Sequence, residues 1–144
     1  MSPLSFRNLD VAPSDPVSKW PQEGIQTALE RGGLADWRRL GDAIDPEPWG
    51  PVARRVEEVL TYSRPYGVSK AFERAISRSR QAAESAEREA VASEIGRLIR
   101  ESGLSRAEFA SRVGTSTSRL STYVSGKVTP SAALLLRMRR LAER

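Results

Sequence analysis

Short hydroxyl side chains and one arginine share the outward face of a predicted helix in the last third of the chain. Serine and threonine are mediocre helix formers, so helix propensity does not explain an exposed face made almost wholly of them. On a capped helix, such side chains can come close to base edges and phosphates in a DNA major groove. The pattern therefore indicates hydrogen bonding to nucleic acid. The outward residues are Thr117, Ser118, Arg119, Ser121 and Thr122.

Two short predicted helices joined by a tight turn position this face. Ser105 and Glu108 have the spacing of a capping box, which starts the first helix. Gly114 can adopt the left-handed backbone that ends it, and Thr115 or Ser116 can cap the second helix. The residues predicted to be buried are Phe109, Ala110 and Val113 in the first helix, and Leu120, Tyr123 and Val124 in the second.

The stretch resembles the helix-turn-helix of the Cro/C1-type (XRE) family of phage repressors and bacterial regulators. Counted from Arg106, Ala110 stands where the family has a small residue under the crossing helix, and Gly114 stands at its turn. Leu120 matches the core aliphatic residue of the recognition helix, and Ser-Gly-Lys at 125–127 resembles the usual Asn-Gly-Lys ending. The resemblance covers roughly residues 93–142, about a third of the chain.

The resemblance implies which residues contact DNA. Thr117, Ser118 and Thr122 would face the bases. Near the sugar-phosphate backbone it implies Arg106, Arg119, Ser125 and Lys127. The basic surround adds Arg112 to this backbone set.

Charge is distributed unevenly along the chain, which has a net charge of +5. Residues 1–68 hold 8 Lys and Arg against 10 Asp and Glu, net −2, whereas residues 69–144 hold 15 against 8, net +7. From residue 104 onward the count is 8 to 2, net +6. A solvated basic face is the simpler explanation, but the excess coincides with the motif, as a surface that neutralises phosphates requires.

Composition argues against an enzyme. The sequence has no cysteine and no histidine, which removes disulfides, ordinary zinc sites, cysteine nucleophiles and histidine acid–base chemistry. We therefore expect no catalytic residue, no metal and no cofactor. Neither an apolar run of about 18 residues nor a signal-peptide pattern is present, so we expect a cytoplasmic protein. The family resemblance implies a bacterial protein that associates with the nucleoid when bound to DNA.

The rest of the chain predicts further helices. Residues 1–18 contain three prolines and no periodicity, which predicts a flexible N-terminal arm. Apolar spacing and proline or glycine breaks predict three helices within residues 19–68, and a proline-free stretch rich in Ala, Glu and Arg predicts one long helix over 69–101. The predicted organisation is thus an arm (1–18), an N-terminal helical region (19–68), a long connecting helix (69–92) and a helix-turn-helix domain (93–144).

Two features of the first half leave alternatives open. All three tryptophans lie at positions 20, 37 and 49, where they form either a core or a surface for another protein. The long helix carries small residues at a spacing of three and four, including Ala82, Ala83, Ala86 and Ala90. This stripe packs either on the N-terminal helices or against a second copy of the chain.

The sequence therefore predicts an all-α protein with a lambda-repressor-like C-terminal domain. The expected function is sequence-specific binding of double-stranded DNA at a palindromic operator, as a homodimeric transcriptional repressor. The N-terminal region belongs either to an antitoxin that masks a partner toxin or to a stand-alone or phage-type regulator that only dimerises. A helical protein-interaction module is the remaining alternative.

Overall fold

The computed structural model describes residues 3–144, so the first two residues of the predicted arm lie outside the described residues. Within this range the secondary structure is entirely helical, which confirms the all-α prediction. A short 3-10 helix, Val17–Lys19, precedes the α-helices. These are α1 (Gln22–Arg31), α2 (Leu34–Ile44), α3 (Pro51–Leu60), α4 (Val68–Ser102), α5 (Arg106–Val113), α6 (Thr117–Val124) and α7 (Ala132–Ala142).

The chain divides into two compact units, Met1–Ala83 and Glu84–Arg144, each with its own hydrophobic core. In the N-terminal unit, α1, α2, α3 and the first turns of α4 enclose one core. Local sequence sets the helix starts: Asp36 accepts a hydrogen bond from the Gly33 N–H at 2.9 Å, and Pro51 occupies the first turn of α3. The largest side chains in this core are Trp20, Ile25, Leu29, Leu40, Ile44, Val56 and Val59.

The segment before α1 packs onto this core, although its composition predicts a loose arm. Phe6 meets Trp20 edge to face, with ring centroids 5.2 Å apart. The Arg39 guanidinium donates hydrogen bonds to the Pro13 and Asp15 carbonyl oxygens and lies 5.0 Å from the Trp20 ring centroid. A tertiary contact from α2 thus holds a segment that has no regular secondary structure of its own.

The three tryptophans occupy different environments. Trp20 is fully buried, and Trp37 is partly buried with its indole N–H donating to the Ala28 carbonyl at 2.9 Å. Trp49 is 44% exposed. Two of the three therefore belong to the core, as expected of large aromatic side chains in a small unit, and the third is available at the surface.

Helix α4 contributes to both cores with its two ends. Phe72 and Ile76 are buried in the N-terminal unit, and Ile95, Leu98 and Ile99 in the C-terminal unit. Across residues 77–94, all of which the structure describes, no side chain is buried. In the alanine stripe of this stretch, Ala82, Ala86 and Ala90 are exposed and Ala83 is partly buried.

Candidate nucleic-acid interface

The C-terminal unit is built around one small core. Helices α5, α6 and α7 pack with the last turns of α4, and the central side chains are almost inaccessible to solvent. All the residues that the sequence predicts to be buried in α5 are buried, and in α6 Leu120 is buried while Tyr123 and Val124 are partly buried. The core comprises Ile95, Leu98, Ile99, Phe109, Ala110, Val113, Leu120, Leu134 and Met138.

The turn between α5 and α6 has the geometry that its sequence predicts. The Ser105 hydroxyl caps α5 by accepting a hydrogen bond from the Glu108 N–H at 3.2 Å. Gly114 ends α5 in the left-handed conformation, with φ of +85°, where an L side chain would be strained. Ser116, rather than Thr115, caps α6 by accepting from the Arg119 N–H at 3.1 Å.

Helix α6 presents the predicted polar face to solvent. Thr117, Ser118 and Arg119 are exposed, whereas Thr122 is partly buried. The Thr122 hydroxyl donates to the Arg119 carbonyl at 2.6 Å, which leaves its oxygen free to accept a hydrogen bond and its methyl group free for apolar contact. Burial of Leu120 on the opposite side fixes which face of the helix points outward.

The residues predicted to contact the DNA backbone lie around this face. Arg106 begins α5, Arg112 lies in its last turn, and both are exposed. Ser125 caps the C-terminal end of α6, and its hydroxyl donates to the Thr122 carbonyl at 3.1 Å. Lys127 is exposed in the following turn, where its N–H bonds the same carbonyl.

Gly126 shapes that turn through a positive φ of +79°. A Cβ atom placed on Gly126 would lie 3.7 Å from the Ala92 Cβ and 3.8 Å from the Arg88 carbonyl oxygen. The turn that carries Lys127 is therefore seated against α4, and glycine is required there by the backbone conformation rather than by lack of space.

One basic residue of α7 has a structural partner. Arg139 forms a two-point ion pair with Glu94 of α4, with Nε to Oε1 at 2.7 Å and Nη2 to Oε2 at 3.1 Å. The hydrogen bond from Arg139 is the main reason why the pKa of Glu94 lies below its ordinary value. Arg139 thus links α7 to α4 across 45 positions of sequence.

Further arginines of the same unit lie beside Arg112, which the sequence analysis already places among the backbone contacts. Arg137, Arg140 and Arg144, at positions i, i+3 and i+7, line one cleft of about 240 Å³ together with Arg112 and Leu141. The helical spacing could have grouped the first three, whereas only the packing of α7 on α5 adds Arg112.

The search for metal sites and membrane-spanning helices covers the part of the chain that the structure describes. Residues 3–144 contain no group of three or more acidic side chains placed to hold a metal ion. Among these same residues, no helix combines the length and apolar character needed to cross a membrane.

Comparison with known proteins agrees with this geometry. The model of the Helix-turn-helix family matches residues 95–141. This match confirms the resemblance of the C-terminal region to the Cro/C1-type family, a family of DNA-binding domains without enzymatic activity. Residues 95–141 thus form a helix-turn-helix of this DNA-binding type, which supports a role of the C-terminal unit in binding DNA. No curated protein and no solved structure is significantly similar to the chain.

Proposed function

We propose that the protein is a dimeric transcriptional repressor that binds a palindromic operator, including one in its own promoter. The observation that carries the proposal is the exposed hydroxyl-bearing face of α6, held outward by the buried Leu120. Thr117, Ser118 and Thr122 read base edges, while Arg106, Arg112, Arg119, Ser125 and Lys127 hold phosphates. Several exposed hydroxyl groups on one short helix have no packing role that would explain them.

The proposed dimer is supported by the small size of one helix-turn-helix module and by the two-fold symmetry of a palindromic operator. A single helix-turn-helix module buries little DNA surface, and two modules on half-sites about 34 Å apart gain both affinity and specificity. The small residues Ala83, which is partly buried, and Ala86, which is exposed, supply a surface on α4 where a second copy of the helix can pack closely.

Footprinting on the protein's own promoter tests the proposal. We expect a protected site with two-fold symmetry, and a lower affinity for a scrambled duplex of equal length. Titration of the operator at three salt concentrations should show an affinity that falls steeply as the salt concentration rises. The reason is that each neutralised phosphate adds about −0.9 to the slope of log K against log salt. A flat salt dependence would exclude DNA binding through this surface, and equal affinity for both duplexes would exclude sequence reading.

A second candidate, the antitoxin of a toxin–antitoxin pair, is favoured by an apolar groove on the N-terminal unit. The groove has a volume of about 480 Å³ and a predominantly apolar lining that includes Trp37, Val68 and Phe72. At its rim, Leu34 is 58% exposed and Tyr66 is fully exposed. Large apolar side chains at the surface are characteristic of protein-interaction sites, and here they would mask a toxin.

Co-expression with the product of the neighbouring reading frame distinguishes the two candidates. An antitoxin should relieve toxicity of that product and co-purify with it, whereas the variant Leu34→Asp/Tyr66→Asp should do neither yet still bind the operator. A neighbouring product that is harmless and does not bind would favour the stand-alone or phage-type regulator. Binding of a partner without any DNA binding would instead indicate a helical interaction module.

A further inference from the structure

A cleft on the C-terminal unit gathers four arginines outside the face of α6. Arg112 comes from the last turn of α5, and Arg137, Arg140 and Arg144 come from one side of α7 and the residues that follow it. All four are exposed, and Leu141 supplies the apolar part of the lining. The cleft, with a volume of about 240 Å³, is large enough for a small anionic group.

Within residues 3–144, no carboxylate forms an ion pair with any of these four guanidinium groups. Arg139, on the same helix, differs because Glu94 neutralises it. Like charges gathered in one cleft repel each other, and an anion bound between them removes that repulsion. The planar guanidinium fork is suited to holding phosphate oxygens at two points.

The cleft adjoins the turn that precedes α6. A Cβ atom placed on Gly114 would lie 3.1 Å from Nη1 of Arg137, so this guanidinium reaches the turn itself. Ser116, two residues further on, caps the N-terminal end of α6. In helix-turn-helix complexes the N-terminal residues of the recognition helix approach the bases, so the sugar-phosphate backbone beside those bases runs close to this turn.

We infer that Arg112, Arg137, Arg140 and Arg144 bind a phosphate group of the DNA backbone next to the bases that α6 reads. This inference rests on the proposed function, which it deepens by adding a phosphate contact from α7. The site contributes affinity for any sequence, because phosphates carry no base information.

The test uses the full-length variant Arg137→Gln/Arg140→Gln. Its matched control is Arg74→Gln/Arg78→Gln, which removes the same charge from exposed positions in the first turns of α4. We expect the cleft variant to lower the salt slope by up to about one unit, the share of one phosphate, on both cognate and scrambled duplexes, with an unchanged ratio of the two affinities. The control should leave the slope almost unchanged.

Ethylation interference on the operator locates the contact. Ethylation of the one phosphate that the cleft binds in each half-site should weaken the wild type much more than the cleft variant, whereas ethylation of the phosphates that the other residues contact should weaken both. If the control and cleft variants lower the salt slope equally, the loss reflects net charge rather than a contact in the cleft, and the inference is overturned. An unchanged slope in the cleft variant would overturn it as well.

Inorganic pyrophosphate separates DNA from a free phosphate-bearing ligand. Added to ¹⁵N-labelled protein, it should shift the arginine Nε–H signals of the cleft only weakly, at millimolar concentration. If the signal shifts saturate at micromolar pyrophosphate and the cleft variant keeps the DNA salt slope of the wild type, the cleft binds a small ligand and the DNA contact is overturned. The ratio of the wild-type affinities for the cognate and scrambled duplexes tests the proposed function separately. The proposed function and the inference about the cleft can therefore fail independently.

Discussion

The two units are built in the same way, but their surfaces differ in net charge and in the type of side chain that they expose. Each packs short helices against one end of α4 around a small apolar core. The N-terminal unit contains all three tryptophans and exposes large apolar side chains such as Leu34, Trp49 and Tyr66, and residues 1–68 carry a net charge of −2. Residues 104–144 carry a net charge of +6 and expose mainly hydroxyl and arginine side chains. The cores explain why each unit folds, and the surfaces indicate what each unit binds.

The largest expected effect tests whether the cores are independent. Phe109→Ala removes a fully buried ring from the C-terminal core and should cost about 3–5 kcal/mol. Since every tryptophan lies in the N-terminal unit, tryptophan fluorescence reports that unit alone, while circular dichroism reports both. In urea, Phe109→Ala should move the unfolding of the C-terminal unit, seen by circular dichroism, to a lower urea concentration. The fluorescence transition of the N-terminal unit should stay in place.

Leu29→Ala, in the N-terminal core, is the matched control and should cost about 2–5 kcal/mol. It should show the reverse pattern, with the fluorescence transition moving. Should either substitution move both transitions equally, the two cores would unfold as one cooperative unit through α4, and the comparison of separate units would fail.

The second prediction concerns the exposed middle of α4, which lies in neither core. Ala83→Glu/Ala86→Glu should produce monomers that retain their helical content, because glutamate is a good helix former. Affinity for an operator with two half-sites should fall about 100-fold or more, since the second module no longer binds at high effective concentration. Sedimentation velocity measures the first effect and operator titration the second.

Ser77→Glu/Gln81→Glu adds the same charge on the opposite side of the helix and serves as control. It should remain dimeric, with only a small loss of affinity. If Ala83→Glu/Ala86→Glu stays dimeric, the contact lies instead in the tryptophan-bearing unit or elsewhere on the C-terminal unit.

The third prediction separates base reading from backbone contact within the C-terminal unit. Ser118→Ala or Thr122→Ala should cost roughly 1–3 kcal/mol on the cognate operator and little on a scrambled duplex. Lys127→Gln should weaken both about equally and lower the salt slope by about one unit, because a released counterion is lost. The measurement is a pair of affinities for each variant. Equal losses on both duplexes for Thr122→Ala would remove that residue from the reading face.

The smallest effect concerns the ion pair between α4 and α7. In the folded protein the pKa of Glu94 lies below its ordinary value of 4.5, so the ion pair stabilises the fold at pH 7. That contribution disappears as the pH falls below about 4.5 and the carboxylate takes up a proton. Arg139→Gln should therefore lower the urea midpoint slightly at pH 7, and the difference from wild type should narrow at pH 3.

Arg140→Gln is the control, because Arg140 lies on the same helix without an acidic partner in the part of the chain that the structure describes. Its urea midpoint should match that of the wild type at both pH values. A difference for Arg139→Gln that persists undiminished at pH 3 would show that packing, not charge, is what the substitution removes.

Local patterns predicted most of the fold and the position of the candidate interface. The buried side chains of α5, the buried Leu120 of α6, the cap at Ser105 and the left-handed Gly114 all follow from residues within four positions of one another. The sequence left the cap of α6 open between Thr115 and Ser116. Short-range rules suffice there because capping bonds and helical faces are set by neighbours in sequence. The division of charge along the chain follows directly from counting the charged residues in the sequence.

Contacts between residues far apart in sequence were not predictable in this way. The N-terminal segment looks flexible by composition, yet Arg39 and Trp20 hold it against the core. Neighbouring arginines of α7 look equivalent, yet Arg139 pairs with Glu94 while Arg137 turns toward Gly114.

By itself, the sequence determined the all-α class, the helix-turn-helix of the C-terminal region and the polar face of α6, because each depends on local propensity and periodicity. Only the tertiary structure decided which tryptophan is exposed, which part of α4 stays uncovered and which arginines meet in one cleft. These outcomes depend on which helices pack together, and burial and charge pairing are properties of that packing rather than of any single segment.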